Sequence, residues 1–169
     1  ISGGVLTFDL PEDGDDVLIL SADSSINLNG GTLVVDSGNL DVNLLTNSDQ
    51  FAGIDNVIVN SGLTLSASQL EELTSAEGGL NVDTSGSGSL VVEVSSLADI
   101  EAVKEAMKNL TTTSELPAIG VEASDTAKGA DDTVKASLDS ALAGAASEIA
   151  ANAGVSVSVT QTDGGVILV

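Results

Sequence analysis

Apolar residues in the first half of the chain come in short aliphatic runs that return every seven or eight residues. This spacing limits the fold more than any other feature. Leu18, Ile26, Leu33 and Leu40 stand 8, 7 and 7 residues apart, and SADSS, NGG and DSGN lie between the runs. Runs this short, bounded by Gly, Asn, Asp and Ser, suit strands rather than long helices. Three such steps, 22 residues, make roughly one coil of a right-handed β-solenoid with three faces. Strands at the same spacing also fit a two-sheet sandwich. The pattern continues at 57–59, at Leu63 with Leu65, at Leu80 with Val82 and at 90–94.

The stretch LTLSASQLEELTSAEGG, residues 63–79, changes period halfway. Ser66 and Gln69 have the spacing of a capping box, Leu70 and Leu73 share one side of a turn, and Gly78-Gly79 offer a left-handed exit. A short helix between strands is expected there. From Ser95 the period becomes helical. Leu97, Ile100, Val103, Met107 and Leu110 follow Ser96 as a cap, which predicts a helix over about 97–110. A loop with Pro117 follows, and Asp131 or Asp132 can cap a second helix over about 132–152. Its stripe is Val134, Leu138, Leu142, Ala145 and Ile149, and it ends near Gly154. The chain closes with alternation at Val155, Val157 and Val159, a turn at Asp163-Gly164 and an apolar strand. The expectation is one domain, mainly β with two α-helices. It has a β-rich segment over 1–94, a helical segment over 95–154 and a C-terminal β-hairpin over 155–169, with β-solenoid-like or β-sandwich strands over 1–94 and 155–169.

Composition narrows the chemistry. Hydrophobic residues make up 42% of the chain, enough for a core, yet Phe8 and Phe51 are the only aromatics, so that core is aliphatic. There are 26 acidic residues against four lysines, no Arg and no His, giving a net charge of -22. Such a surface repels phosphate backbones, whose binding depends on cationic contacts, and it repels anionic lipid. No nucleic-acid partner is expected. Cations and cationic partners are favoured, and a saline setting would screen the self-repulsion, the Debye length being about 8 Å at physiological salt. No apolar run approaches the length of a membrane span, so no membrane insertion is expected. A chain that opens on Ile1 without a leader reads as a mature product or an excised piece.

The strongest candidate for ligand chemistry is PEDGDDVLIL. Its Gly14 to Leu18 portion matches the G-x-D-x-U half of a calcium-binding nonapeptide, so Asp13, Asp15 and Asp16 are the candidate calcium ligands. A solvated acidic turn before a strand explains the same residues. Asp131-Asp132 is explained by helix capping, and Asn109-Leu110-Thr111 forms a glycosylation sequon. Without His or Cys there is neither a Ser-His-Asp triad nor a thiol nucleophile, and there is no conventional zinc or haem site. Paired carboxylates can cleave glycosides, but a sugar groove normally has aromatics and cations, which this chain almost lacks. A non-catalytic role is expected.

The stretches DGDDVLIL, INLNGGTLVVDSGNLDV and IDNVIVNSGLTLSASQL, over residues 13–70, resemble the repeat regions of large secreted bacterial surface proteins. These include RTX-like adhesins, S-layer-like proteins and other β-solenoid exoproteins. The helical region 95–154 lies outside the resemblance. The likeness implies an extracellular or cell-surface, bacterial, structural or adhesive role, often with calcium. The resulting expectation is a structural module of a layer, filament or adhesin stalk that self-associates through strand edges in residues 5–20 and 156–169. The alternative is a calcium-dependent module that binds carbohydrate or another cell.

Overall fold

The computed structural model describes residues 5–9, 26–37, 39–41, 51–60, 62–75, 79–84, 88–112 and 119–169. In chain order they form β1 (Val5–Asp9), β2 (Ile26–Ser37), β3 (Asn39–Asp41), β4 (Phe51–Val59), β5 (Gly62–Ser66) and α1 (Ala67–Thr74). Then come β6 (Leu80–Asp83), β7 (Ser89–Val94), α2 (Leu97–Ala106), a 3-10 turn (Met107–Asn109) and β8 (Leu110–Thr112). The chain ends with β9 (Ile119–Ala123), α3 (Asp125–Lys128), α4 (Asp132–Ala153), β10 (Val157–Thr160) and β11 (Val166–Leu168).

The strands make two sheets, a five-stranded one ordered β1-β2-β4-β6-β8 and a six-stranded one ordered β11-β10-β9-β7-β5-β3. Every described pairing is parallel except β10 with β11. From β4 to β8 the chain gives a strand to the first sheet, one to the second, and then a helix that returns to the first, whereas after β9 the helices α3 and α4 lead back to the second sheet at β10. Parallel neighbours need such a crossover, because a tight hairpin can only reverse the chain. In-register rows result. Leu40, Leu63, Leu90, Ile119 and Val157 stand side by side across the second sheet, and so do Leu65, Val92, Val121, Val159 and Ile167. Leu63, Leu65, Leu90, Val92, Ile119, Val121, Val157 and Val159 are buried, in one core with Val57, Val59, Leu80 and Val82 of the first sheet.

This is an α/β fold of parallel sheets with interleaved helices. The expectation of a mainly β chain, solenoid-like or a sandwich over 1–94 and 155–169, is therefore corrected. The seven-residue steps do not mark successive faces of a coil. Ile26 and Leu33 lie within the single long strand β2, and Leu40 lies in β3 of the other sheet. A sandwich would be antiparallel, whereas these strands pair parallel. Nor is 95–154 a helical block, for β8 and β9 run through it and join the two sheets. Along β7 the residues are alternately half-buried and buried.

Local chemistry sets the helix ends. Ser66 Oγ accepts from the Gln69 N–H at 3.2 Å and Gln69 Oε1 accepts from the Ser66 N–H at 2.9 Å, the reciprocal box that starts α1. Leu70 and Leu73 are buried beneath it. Ser96 and Asp99 repeat the device at α2. Asp131, rather than Asp132, caps α4, its Oδ1 accepting from the N–H groups of Thr133 and Val134 at 3.0 and 3.1 Å. Gly154, at φ +70°, closes α4 in the left-handed conformation. Gly79, at φ +72°, leads into β6 rather than ending α1, and a side chain there would collide with the Asn109 carbonyl. Leu138, Leu142, Ala145 and Ile149 of α4 are buried, while Val134 at the head of the stripe is 46% exposed.

Candidate functional site: the C-terminal strand edge

β10 sits parallel beside β9, and the chain then reverses so that β11 lies antiparallel at the end of the second sheet. The reversal is locally encoded. Gln161 N–H donates to the Gly165 carbonyl at 2.8 Å and Gly164 N–H donates to the Gln161 carbonyl at 3.0 Å. Asp163 Oδ1 accepts from the Gly165 N–H at 2.8 Å, and Gly164 takes φ +85°, which an L side chain rarely adopts. The turn is fastened to α4 through Asp139. One carboxylate oxygen of Asp139 accepts from the Thr162 N–H and the other from the Thr162 hydroxyl, both at 2.7 Å. Gln161 Nε2 donates to the Asp139 carbonyl at 3.0 Å.

The two sides of β11 differ. Val157 and Val169 exchange both backbone bonds, at 2.9 and 3.1 Å. Antiparallel alternation makes Val159 with Ile167 the next closely bonded pair, so Val166 and Leu168 turn their N–H and C=O away from β10. Among the described residues no strand lies beyond them. Their side chains end the two outer rows of the sheet. Leu168 follows Thr64, Val91, Gly120 and Ser158, while Val166 follows Ser66, Glu93, Glu122 and Thr160. Val166 is 60% and Leu168 69% exposed, whereas Ile167 and Val169 pack against the core. In the whole of 155–169 the only charged residue is Asp163. Among the described residues the edge is thus an uncharged, apolar strip whose outward backbone donors and acceptors have no strand beside them, on a chain of net charge -22.

A second candidate is a groove of about 310 Å³ between α2 and α4, lined by Leu97, Ile100, Glu101, Lys104, Ala141, Gly144, Ala145 and Glu148. Lys104 Nζ lies 3.0 Å from carboxylate oxygens of both Glu101 and Glu148. Hydrogen bonding to Glu148, then to Glu101, raises the Lys104 pKa against the opposing effect of burial. The ammonium stays protonated, which unsuits it as a nucleophile or base. Asn152 Nδ2 also donates to the Lys104 carbonyl at 2.8 Å, so these residues tie α2 to α4. Lys108, Lys128 and Lys135 likewise pair with acidic residues three positions earlier.

No family model, curated protein or solved structure matches this chain. The site therefore stands on its own geometry. Asp13, Asp15 and Asp16 lie outside the described residues, as does most of the expected edge at 5–20. Its strand β1 stands at the rim of the first sheet. Asp132 is solvent-exposed beside Lys135. Asn109 of the sequon is exposed in the 3-10 turn, and Leu110 beside it is buried. Among the described residues no three acidic side chains gather as metal ligands, and no described helix is long and apolar enough to cross a membrane. Sequence reasoning missed Asp139, because its partner Thr162 is 23 residues away and no local pattern joins them.

Proposed function

We propose that this chain is a non-catalytic structural module of a bacterial cell-surface or extracellular assembly, and that it self-associates through strand edges. The observation that carries this reading is the β11 edge. A free apolar edge is a liability for a solitary soluble domain, since its backbone groups invite another strand. Here it is left without a guarding charge, although charge is abundant on the rest of the chain. Strand addition supplies backbone hydrogen bonds for affinity, and alternate side chains supply specificity. A chain without His or Cys, and with two aromatics, also lacks the usual equipment for acid–base, thiol or sugar-stacking chemistry. The extracellular setting rests on the acidity and on the resemblance over residues 13–70.

Size-exclusion chromatography with light scattering, at rising sodium chloride and with or without calcium at matched ionic strength, tests the reading. Association should grow with concentration and with salt, because screening lowers the repulsion between copies. A chain that stays monomeric at millimolar concentration under all these conditions would contradict it. A monomer stabilised by calcium but not by sodium would favour a calcium-dependent binding module instead.

A further inference from the structure

We infer that β11 forms a two-fold symmetric dimer in which two copies of the strand pair antiparallel about Ile167. This rests on the assembly reading above and narrows it to one occupant of the edge, a second copy of the chain. The register follows from which backbone groups are free. Val166 and Leu168 carry the outward N–H and C=O groups, and they lie symmetrically on either side of Ile167. A two-fold axis through Ile167 sets Val166 of one copy opposite Leu168 of the other, twice. Each such pair faces outward groups to outward groups, so both become closely bonded pairs and four hydrogen bonds form. Any register shifted by one residue would oppose an outward group to one already bonded to β10. The strand is thus complementary to itself, which is the requirement for an isologous contact.

Side chains and charge agree with this register. On the outer face each exposed Val166 meets an exposed Leu168 of the partner, an apolar cross-strand pair. On the inner face the two Ile167 side chains meet where each already packs on its own core. The nearest acidic side chain in these outer rows is Glu122, two strands in from β11. Across the dimer the two Glu122 residues would be five strand spacings apart, roughly 24 Å. That is about three Debye lengths at physiological salt, so the contact escapes most of the repulsion. Asp163 lies in the turn, outside the paired residues. The two second sheets would join into one, with β3 left at both outer rims. Because a two-fold contact closes on itself, this edge makes a dimer, and growth beyond it needs another surface.

Cysteine scanning reads the register directly, since the chain has no cysteine of its own. In a non-hydrogen-bonded antiparallel pair the Cα atoms are about 4.5 Å apart, within reach of a disulfide. Ile167→Cys should therefore cross-link to its own copy under oxidised glutathione. Val166→Cys and Leu168→Cys, each about 8 Å from its own copy by the strand geometry, should do so at least about tenfold less. A companion variant, Leu168→Pro, removes an N–H that points outward and so spares the bonds to β10. It should keep the wild-type melting temperature and sediment as a monomer where the wild type dimerises. Equal cross-linking at all three positions would overturn the proposed pairing. So would dimers that persist in Leu168→Pro, although these would leave the assembly reading standing. A wild-type chain that is monomeric throughout would overturn both.

Discussion

Strands β7 and β11 use nearly the same residues in the same sheet, and they end up in opposite situations. In β7 the Leu90, Val92 and Val94 side chains are fully buried, with β5 on one side and β9 on the other. In β11 Val166 and Leu168 are exposed, and among the described strands only β10 lies beside it. Val, Ile and Leu make a strand in both cases, because branched aliphatic side chains suit a pleated surface. Whether such a residue becomes core or contact surface is decided by what lies beside it. Burial depends on position in the sheet, and position depends on contacts far away in sequence.

The widest separation between the two strands should appear in stability. Leu90→Ala in β7 should cost about 3 kcal/mol, the transfer of a buried side chain plus the cavity it leaves. Leu168→Ala, with 69% of the residue already in water, should change the unfolding free energy by no more than about 0.5 kcal/mol. Urea denaturation of the dilute protein measures both, and equal losses would erase the contrast.

A smaller effect should come from the fastening that holds β11 in place. Asp139→Ala removes the carboxylate that accepts two hydrogen bonds from Thr162, and should cost about 1.5 kcal/mol. The loss should be concentrated in the hairpin, so near-terminal amides should exchange faster while those of β7 keep their protection. If β7 and β11 loosen together, the hairpin belongs to the same cooperative unit as the core.

The smallest effect at neutral pH involves Lys104, which joins α2 to α4 in the groove between them. Its pKa is raised in the folded chain above the ordinary 10.5. The folded state therefore holds this proton more tightly. The associated stability is complete below pH 10.5 and disappears as pH climbs through the higher folded value. Wild type and Lys104→Met should differ by a constant amount at neutral pH and converge in the alkaline range. Convergence on the acid side alone would assign the effect to the carboxylates instead.

Much of the local structure was legible in the sequence. Ser66 with Gln69, Ser96, Asp131 and Gly154 announce their helix ends, because capping is chemistry between near neighbours. The Asp163-Gly164 turn is legible for the same reason. Strand direction was not, for alternation such as that of β7 is common to antiparallel sheets and to parallel sheets with one face open. β8 and β9 were hidden between helical periods: Leu110 completes the helix stripe of α2 by spacing, yet it begins a strand beside Leu80. Of the site, the apolar end at 166–169 was visible as an unguarded strand. The hairpin with an outer edge was expected too, but its place beside the parallel strand β9 and the distant anchor Asp139 were not, since both depend on contacts far apart in sequence.

Backbone amide exchange of the intact 16.7 kDa chain, followed residue by residue by nuclear magnetic resonance, tests the β11 edge most directly. In dilute, low-salt solution the amides of Val157 and Val169 should be protected and those of Val166 and Leu168 should exchange rapidly. At high concentration and high salt, Val166 and Leu168 should gain protection while the rest of the hairpin changes little. Protection of these two amides in the dilute monomer, or free exchange that no concentration alters, would contradict the assignment of this edge as the surface where copies meet.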